Sequence, residues 1–479
     1  VSQPATAAVP QQLRDRLEAV GQSHVLNFES ELTAEQRAGL VGQLERIDLE
    51  RVPRLIEEYV RAKPTFDAAR HDIRPPKAFA HDDPSWNRDR FYDRGAEAIR
   101  AGKVAAFTVA GGQGSRLGYD GPKGCFPGGA VTGKPLFRML AEWVIWARRE
   151  FDAAIPWYVM TSPLNHETTT AFFDEHDYFG LPREDVMFFP QGSMPSFAMG
   201  SGDILLKSKH EIATNPDGHG GSLRALHTSG ALDDMRRRGV EQISYVQVDN
   251  PLSRVIDPLF VGLHLGAEGS SAEMSTKVIA KSQPGEKVGV IAEVDGKTGV
   301  IEYSDLPDEL AEKRAEDGSL FLKAGNIALH MLSVEFVDKL NQGGSLNLPF
   351  HRAEKKIPCV DRESGTPINP DQPNGIKLEM FVFDALPMTA GSIVYEVDRV
   401  DEFAPIKNAE GSDSPASSRR LQTERAARWL EARGVSVPRR GDGEPDCTME
   451  ISPLTATRAE ALPAGKLPKS IEPGAEIAL

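Results

Sequence analysis

A chain of 479 residues, 40% hydrophobic and 26% charged, has an ordinary globular composition and is too long for one simple core, so two or three domains are expected. Its formal net charge of −15 argues against a nucleic-acid backbone as partner and makes any anionic substrate depend on local cations. No apolar run approaches the ~18–20 residues of a membrane helix, no secretory signal is expected, and three cysteines without CxxC spacing (Cys125, Cys359, Cys447) fit a reducing, cytoplasmic setting.

In chain order, "PQQLRDRLEAVGQSHVLNF" and "TAEQRAGLVGQLERIDLERVPRLIEEYV" space their apolar residues by three and four, which predicts helices over residues 10–70. Thr33 is placed to cap the second, with Gln36 completing a capping box. The polar "RPPKAFAHDDPSWNRDR" reads as a loop. From Lys103 the pattern changes to strand "KVAAFTVA", helix "PLFRMLAEWVIWARREF", strand "PWYVMTS", helix "NHETTTAFFDEH", strand "DVMFFPQ", one helix over "LRALHTSGALDDMRRRGV" and strand "QISYVQVDN". That alternation predicts an α/β fold with a mostly parallel sheet covered on both faces. Ligands of such sheets sit at carboxyl strand ends near a switch in strand order, so "AGGQGSR", "PQGSM" and "VDNPL" are expected along one rim. "KVGVIAEVDGKTGVIEYSDL" reads as a hairpin turning at Asp295-Gly296. A last helix, "SPASSRRLQTERAARWLEARGV", precedes a tail from Pro438 rich in proline, glycine and charge, read as a small C-terminal domain with loose ends.

The stretch "FTVAGGQGSRLGYDGPKGCFP" ends an apolar strand in bare backbone beside two cations. Gly111, Gly112 and Gly114 allow N–H groups to face a ligand with no Cβ in the way, which makes an anion-binding concavity. Arg116 and Lys123 add fixed positive charge suited to phosphate oxygens. The spacing is not GxGxxG, because Leu117 takes the third glycine's place, nor GxxxxGK[ST], because Pro135 follows Gly133-Lys134. A Rossmann-type oxidoreductase is further disfavoured because the second strand ends in "MTS" rather than in an acidic residue.

"AGGQGSRLGYDGPKG" resembles the signature of the UDP-sugar pyrophosphorylases, and most resembles the eukaryotic-type UDP-N-acetylhexosamine (UDP-N-acetylglucosamine) pyrophosphorylases. "PDGHGGSLRAL", "YVQVDNPLSRVIDPLF", "GVIEYSDL", "DGSLFLKAGNIALH", "HRAEKKIPCVD", "NGIKLEMFVFDAL", "EFAPIKNAEGSDSP" and "MEISPL" look like further family segments, in family order, over roughly residues 30–455. The resemblance implies a Rossmann-like, glycosyltransferase A-like nucleotidyltransferase fold with a mixed sheet. It also implies an N-terminal helical region (1–95), a catalytic nucleotide-sugar-binding domain (96–390) and a small C-terminal domain (391–479). The implied reaction is attack of a sugar 1-phosphate on the α-phosphorus of UTP, giving UDP-sugar and pyrophosphate, with Mg²⁺ as cofactor and no nucleic-acid or membrane partner.

Asp249 ends the strand "QISYVQVD", where a carboxylate suits either Mg²⁺ or the cap of a following helix; position alone does not separate the two. The resemblance makes Asp249 the metal holder near the UTP phosphates, gives Lys123 and Arg116 to those phosphates, Arg116 also to the departing pyrophosphate, and places Lys377 near UTP. It assigns Ala110, Gly111, Gly112, Gln191 and Gly218 to the nucleotide, the last two to the uracil edge. Glu302, Tyr303 and Asn326 are implied sugar contacts, and Lys407 lies by resemblance at the sugar phosphate. One departure stands out: the N-acetylhexosamine enzymes have Gly-Asn-Gly-Gly where this chain has Gly218-His219-Gly220-Gly221, and UDP-glucose pyrophosphorylases carry Gly-His-Gly. His219 therefore bears on the choice of sugar, with glucose 1-phosphate or a broader hexose set as the alternative to N-acetylglucosamine 1-phosphate. A non-catalytic UDP-sugar sensor is the remaining rival.

Overall fold

The computed structural model describes residues 8–343 and 346–479. Its compact units are not contiguous in sequence: one is Val1–Phe66, Gly192–Ser222 and Leu348–Val382, the other Asp67–Gln191, Leu223–Asn347 and Phe383–Leu479.

The larger unit is built on an 11-stranded mixed sheet. Its parallel half runs Gln242–Gln247, Val104–Val109, Trp157–Thr161 and Val186–Pro190 in adjacent order. The Val104–Val109 strand is buried almost throughout, as a strand covered on both faces must be. Ala324–Ser333 then pairs antiparallel with Gln242–Gln247 and with Met274–Ala280, which makes the sheet mixed rather than mostly parallel. The chain steps from Val104–Val109 to the two strands on one side and later returns to its other side with Gln242–Gln247, so strand order switches between these two. The hairpin forms as expected, Val290–Val294 against Lys297–Ile301, with Asp295 at φ 50° and Gly296 at φ 79° in the turn.

The region read as a loop, residues 74–90, contains the strand Ala78–Ala80, paired with Val394–Glu396 at the sheet edge, and runs into the first turn of the helix Arg88–Arg100, capped by Asn87. Its sequence, RDRFYDRGAEAIR, is so charged that the apolar stripe is thin; tertiary packing fixes it instead. A Cβ on Gly95 would fall on the Pro258 carbonyl and one on Gly262 on the Phe91 carbonyl, so this helix and Pro258–Gly266 cross with backbones in contact. The single helix expected over 223–240 is two, Gly221–Thr228 and Ala231–Arg237, interrupted at Gly230 with φ 80°.

The final residues are tied down rather than loose. Glu476–Ala478 pairs in parallel with Thr448–Glu450, and Leu430, Trp429, Met449, Leu462 and Ile471 form a separate small core with the helix Pro415–Ala432.

The smaller unit holds the N-terminal helices and short sheets. Gln11–Ala19 and Ala34–Glu45 are helical, the latter with the Thr33–Gln36 capping box formed in both directions. Gly375–Glu379 lies between His351–Lys355 and Phe197–Ala198 as the middle strand of three. The Gln22 amide donates to the Gly202 carbonyl and accepts from the Ile204 N–H, which sews the N-terminal turns to the 192–222 segment.

Candidate functional site

At the strand-order switch of the larger unit, Val104–Val109 and Gln242–Gln247 both release their chains at the same rim, as parallel neighbours must. The Ala110 N–H still donates to Met160 O at 2.8 Å. Beyond it the chain leaves the sheet and closes a loop: Lys123 N donates to Gly112 O at 3.0 Å and Gly114 N to Gly121 O at 2.9 Å. A Cβ on Gly111 would lie 2.6 Å from Gln191 Oε1, whereas one on Gly112 would meet nothing within 4 Å. Gln191 thus lies against Gly111, and Gly112 presents bare backbone to open space. The loop turns through Ser115–Leu117, which carries the exposed Arg116, and through Gly118 at φ 69°. Cys125, at the loop's far end, is buried, and that burial pushes its thiol up to about 12, so it is inert at neutral pH.

Asp249 leaves the neighbouring strand. Its Oδ2 lies 3.8 Å from Lys123 Nζ, with both side chains largely shielded. That separation is beyond a hydrogen bond, so the two side chains are held at the rim as an ion pair by charge alone. No helix starts behind Asp249; the next, Pro258–Gly266, is capped by Asp257. The capping alternative for Asp249 therefore falls away. Asp249 O accepts from Ile406 N at 2.8 Å, which brings Lys407 to the same rim. Asn250, buried, fixes that segment by donating to Glu402 O at 2.7 Å and accepting from Ala404 N at 3.0 Å. Lys407 Nζ lies 3.8 Å from Asp413. Burial pushes the Asp413 carboxyl up; Lys407 opposes this, and the charge of Asp249 adds to it. Asn250 and Asp413 carry no sequence signal of their own, because their roles depend on which segments meet.

Glu302 and Tyr303 follow the Lys297–Ile301 strand in a turn, with Tyr303 51% exposed. A Cβ on Gly289 would lie 2.8 Å from Glu302 Oε1, and Asn326 N donates to Gly289 O at 2.8 Å. Glu302 and Asn326 are therefore brought together around Gly289, a residue that sequence reasoning missed. Asn326 Oδ1 accepts from Ala328 N at 3.0 Å, in a stretch where Ala328 has φ 54° and the ladder with Met274–Ala280 shifts register.

In the smaller unit, Gly218 has φ 84° and a Cβ on it would fall on the Met380 carbonyl. Met380 N donates to Asp217 O and Gly220 N to Met380 O, both at 2.8 Å, so the turn is stitched to the end of the strand bearing Lys377. His219 stacks on Phe381, with ring centroids 5.0 Å apart and 9° between planes. Its Nδ1 accepts from Val382 N at 3.1 Å, which places the proton of the neutral ring on Nε2. Lys377 is half-buried.

For a divalent ion, the donor set decides the fit. Among the described residues no group of three or more His, Cys, Asp or Glu side chains could cage a metal. Mg²⁺ bound with nucleotide needs only one or two carboxylates besides phosphate oxygens and water. Asp249, a hard oxygen donor facing a lysine at the rim, fits that mode and not a resident protein-caged ion.

A family model described as UTP–glucose-1-phosphate uridylyltransferase matches residues 54–417. The chain is 37% identical over 434 residues to the UDP-N-acetylglucosamine pyrophosphorylase of Saccharomyces cerevisiae, covering 87% of this chain and 90% of that protein. It is also 37% identical over 488 residues to the human UDP-N-acetylhexosamine pyrophosphorylase-like protein 1, covering 95% and 94% respectively. Among solved structures, the Trypanosoma brucei uridine diphosphate N-acetylglucosamine pyrophosphorylase superposes with a TM-score of 0.79 at 28% identity, covering 96% of this chain and 94% of that one. The UDP-glucose pyrophosphorylase of Leishmania major, at 17% identity and a TM-score of 0.61 over 89% of this chain and 81% of that one, shares the fold alone. By the match over most of its length, and with the glycine loop and Asp249 at one rim, the chain belongs to the UTP–glucose-1-phosphate uridylyltransferase family, as a relative of its UDP-N-acetylglucosamine pyrophosphorylases.

Proposed function

We propose that the protein joins UTP to a sugar 1-phosphate, N-acetylglucosamine 1-phosphate foremost, releasing pyrophosphate and UDP-sugar. The observation that carries this is the rim at the strand-order switch, where bare backbone, Lys123 and Asp249 meet. The attacking sugar phosphate is already an anion at neutral pH, so the reaction asks for no general base. Repulsion between polyanions is what has to be overcome, by positioning and by positive charge.

In this reading the N–H groups of the glycine loop with Lys123 and Arg116 hold the UTP phosphates. Arg116 stabilises the pyrophosphate as the α-phosphorus–oxygen bond breaks, Lys377 serves UTP, and Lys407 orients the sugar phosphate for in-line attack. Gln191 and Gly218 read the uracil edge. Glu302, Tyr303, Asn326 and His219 line the sugar. Asp249 would hold Mg²⁺, which supplies charge neutralisation on the phosphates when bound. The relatives' names support the N-acetyl sugar. His219, with Nδ1 already engaged by Val382, supports a second arm in which glucose 1-phosphate is also accepted. A cytoplasmic setting belongs to the same proposal, supported by three free thiols. Pyrophosphate release with UTP across a panel of sugar 1-phosphates tests it: turnover is expected with N-acetylglucosamine 1-phosphate, and none with any sugar phosphate would leave only a sensor.

A further inference from the structure

Asn165 occupies the cap position of the helix His166–Glu175, yet its side chain makes no cap hydrogen bond. It is 1% exposed. Its Oδ1 accepts from Ser162 N at 2.7 Å. Its Nδ2 donates to Ala110 O at 3.1 Å and to Gly112 O at 3.3 Å, two carbonyls of the glycine loop more than fifty residues away in sequence. Gly112 O also receives the Lys123 N–H. A buried asparagine that gives up a cap, with both ends of its amide engaged, is holding something in place.

The peptide plane says what is held. In a trans peptide the carbonyl and the following N–H point in opposite directions. With the Ala110 carbonyl drawn to Asn165, the Gly111 N–H points away from it. With the Gly112 carbonyl drawn to Asn165 and Lys123, the Gln113 N–H does likewise. Both N–H groups therefore face the side opposite Asn165, and among the described residues nothing accepts from either. Gly112, between them, has no neighbour within 4 Å of where its Cβ would stand.

We infer that Asn165 is a positioning residue for phosphate binding: its amide fixes two loop carbonyls so that the Gly111 and Gln113 N–H groups are presented, preorganised, to the nucleotide's phosphates. This rests on the functional reading above. Two N–H donors aimed by an outside clamp need no reorganisation when an anion arrives, which is what makes such a nest effective.

The test uses Asn165→Asp, which keeps the size and the acceptor for Ser162 N–H but loses both donors, and Asn165→Ala. The expected result is a KM for UTP raised tenfold or more, with the sugar phosphate KM and the inhibition constant of uridine, which has no phosphate, each within twofold of the parent. Equal weakening of UTP and uridine, or an unchanged KM for UTP, overturns the inference. Should neither variant fold, hydrogen exchange on the unaltered protein decides. The Gly111 and Gln113 amides are expected to exchange fast alone and to be protected by UTP; protection already present without UTP, or none with it, overturns the inference. Absence of any turnover or UTP binding in the unaltered protein would instead defeat the functional reading.

Discussion

The glycine loop at residues 111–114 and the glycine turn at 218–221 look alike in sequence and use their missing side chains in opposite ways. Gly112 faces open space, so its bareness serves whatever approaches from outside. Gly218 and Gly220 face the Met380 and Phe381 backbone, so their bareness serves packing within the protein. The first region is held at its edges, by Asn165 and the Lys123–Gly112 bond, and left open at its centre. The second is filled at its centre, with His219 stacked between backbone ties. A glycine cluster is thus a statement about either a ligand or a neighbour, and only the surroundings tell which.

The largest expected effect lies at the open region. Asp249→Asn should keep the fold and lose about 2–4 kcal/mol of transition-state stabilisation, on the order of 10²–10³ in rate. Steady-state kinetics over a Mg²⁺ titration checks it; near-parental turnover at every Mg²⁺ concentration would remove Asp249 from the metal role.

The packed region should respond through stability. Gly218→Ala imposes a side chain at φ 84° and against a carbonyl, and should cost about 2–4 kcal/mol in denaturant unfolding. If it unfolds like the parent, the contrast drawn between the two clusters is wrong.

His219→Asn sharpens the comparison, because it removes the stack on Phe381 and the acceptor for Val382 N–H from the packed turn and at the same time changes what that turn offers a ligand. The ratio of kcat/KM for N-acetylglucosamine 1-phosphate over glucose 1-phosphate should rise, by ~1–3 kcal/mol if one contact decides it. An unchanged ratio would mean that His219 supports the turn and does not choose the sugar.

The smallest effect on the fold is expected from Gly112→Ala. With nothing to clash and no positive φ, unfolding should shift by less than about 0.5 kcal/mol, while the KM for UTP rises as the methyl group intrudes on the phosphate approach. A large loss of stability there would put Gly112 with Gly218.

Much was legible before any fold was known. The Thr33–Gln36 box, the Asp295-Gly296 turn and the parallel strands Val104–Val109, Trp157–Thr161, Val186–Pro190 and Gln242–Gln247 follow from local chemistry and periodicity, which act within a few residues. The glycine loop and the strand-end Asp249 were legible as types of residue at types of position. The helix Arg88–Arg100 was not, because its fit rests on Gly95 meeting a helix more than 150 residues later. Asn165 read as an ordinary helix start, and Gly289 as nothing at all.

What the sequence determined by itself was therefore the inventory: which stretches are strands, where bare backbone follows one, and which cations and carboxylates stand at strand ends. What only the tertiary structure decided was company. That Lys123 faces Asp249 at 3.8 Å, that Asn165 turns the Ala110 and Gly112 carbonyls, and that residues 8–66 pack with 192–222 and 348–382 depend on contacts between distant segments. The physical reason is range: hydrogen-bonding and steric preferences of a residue act on its sequence neighbours, whereas a site is made by burial and strand pairing, which join segments whatever their separation along the chain.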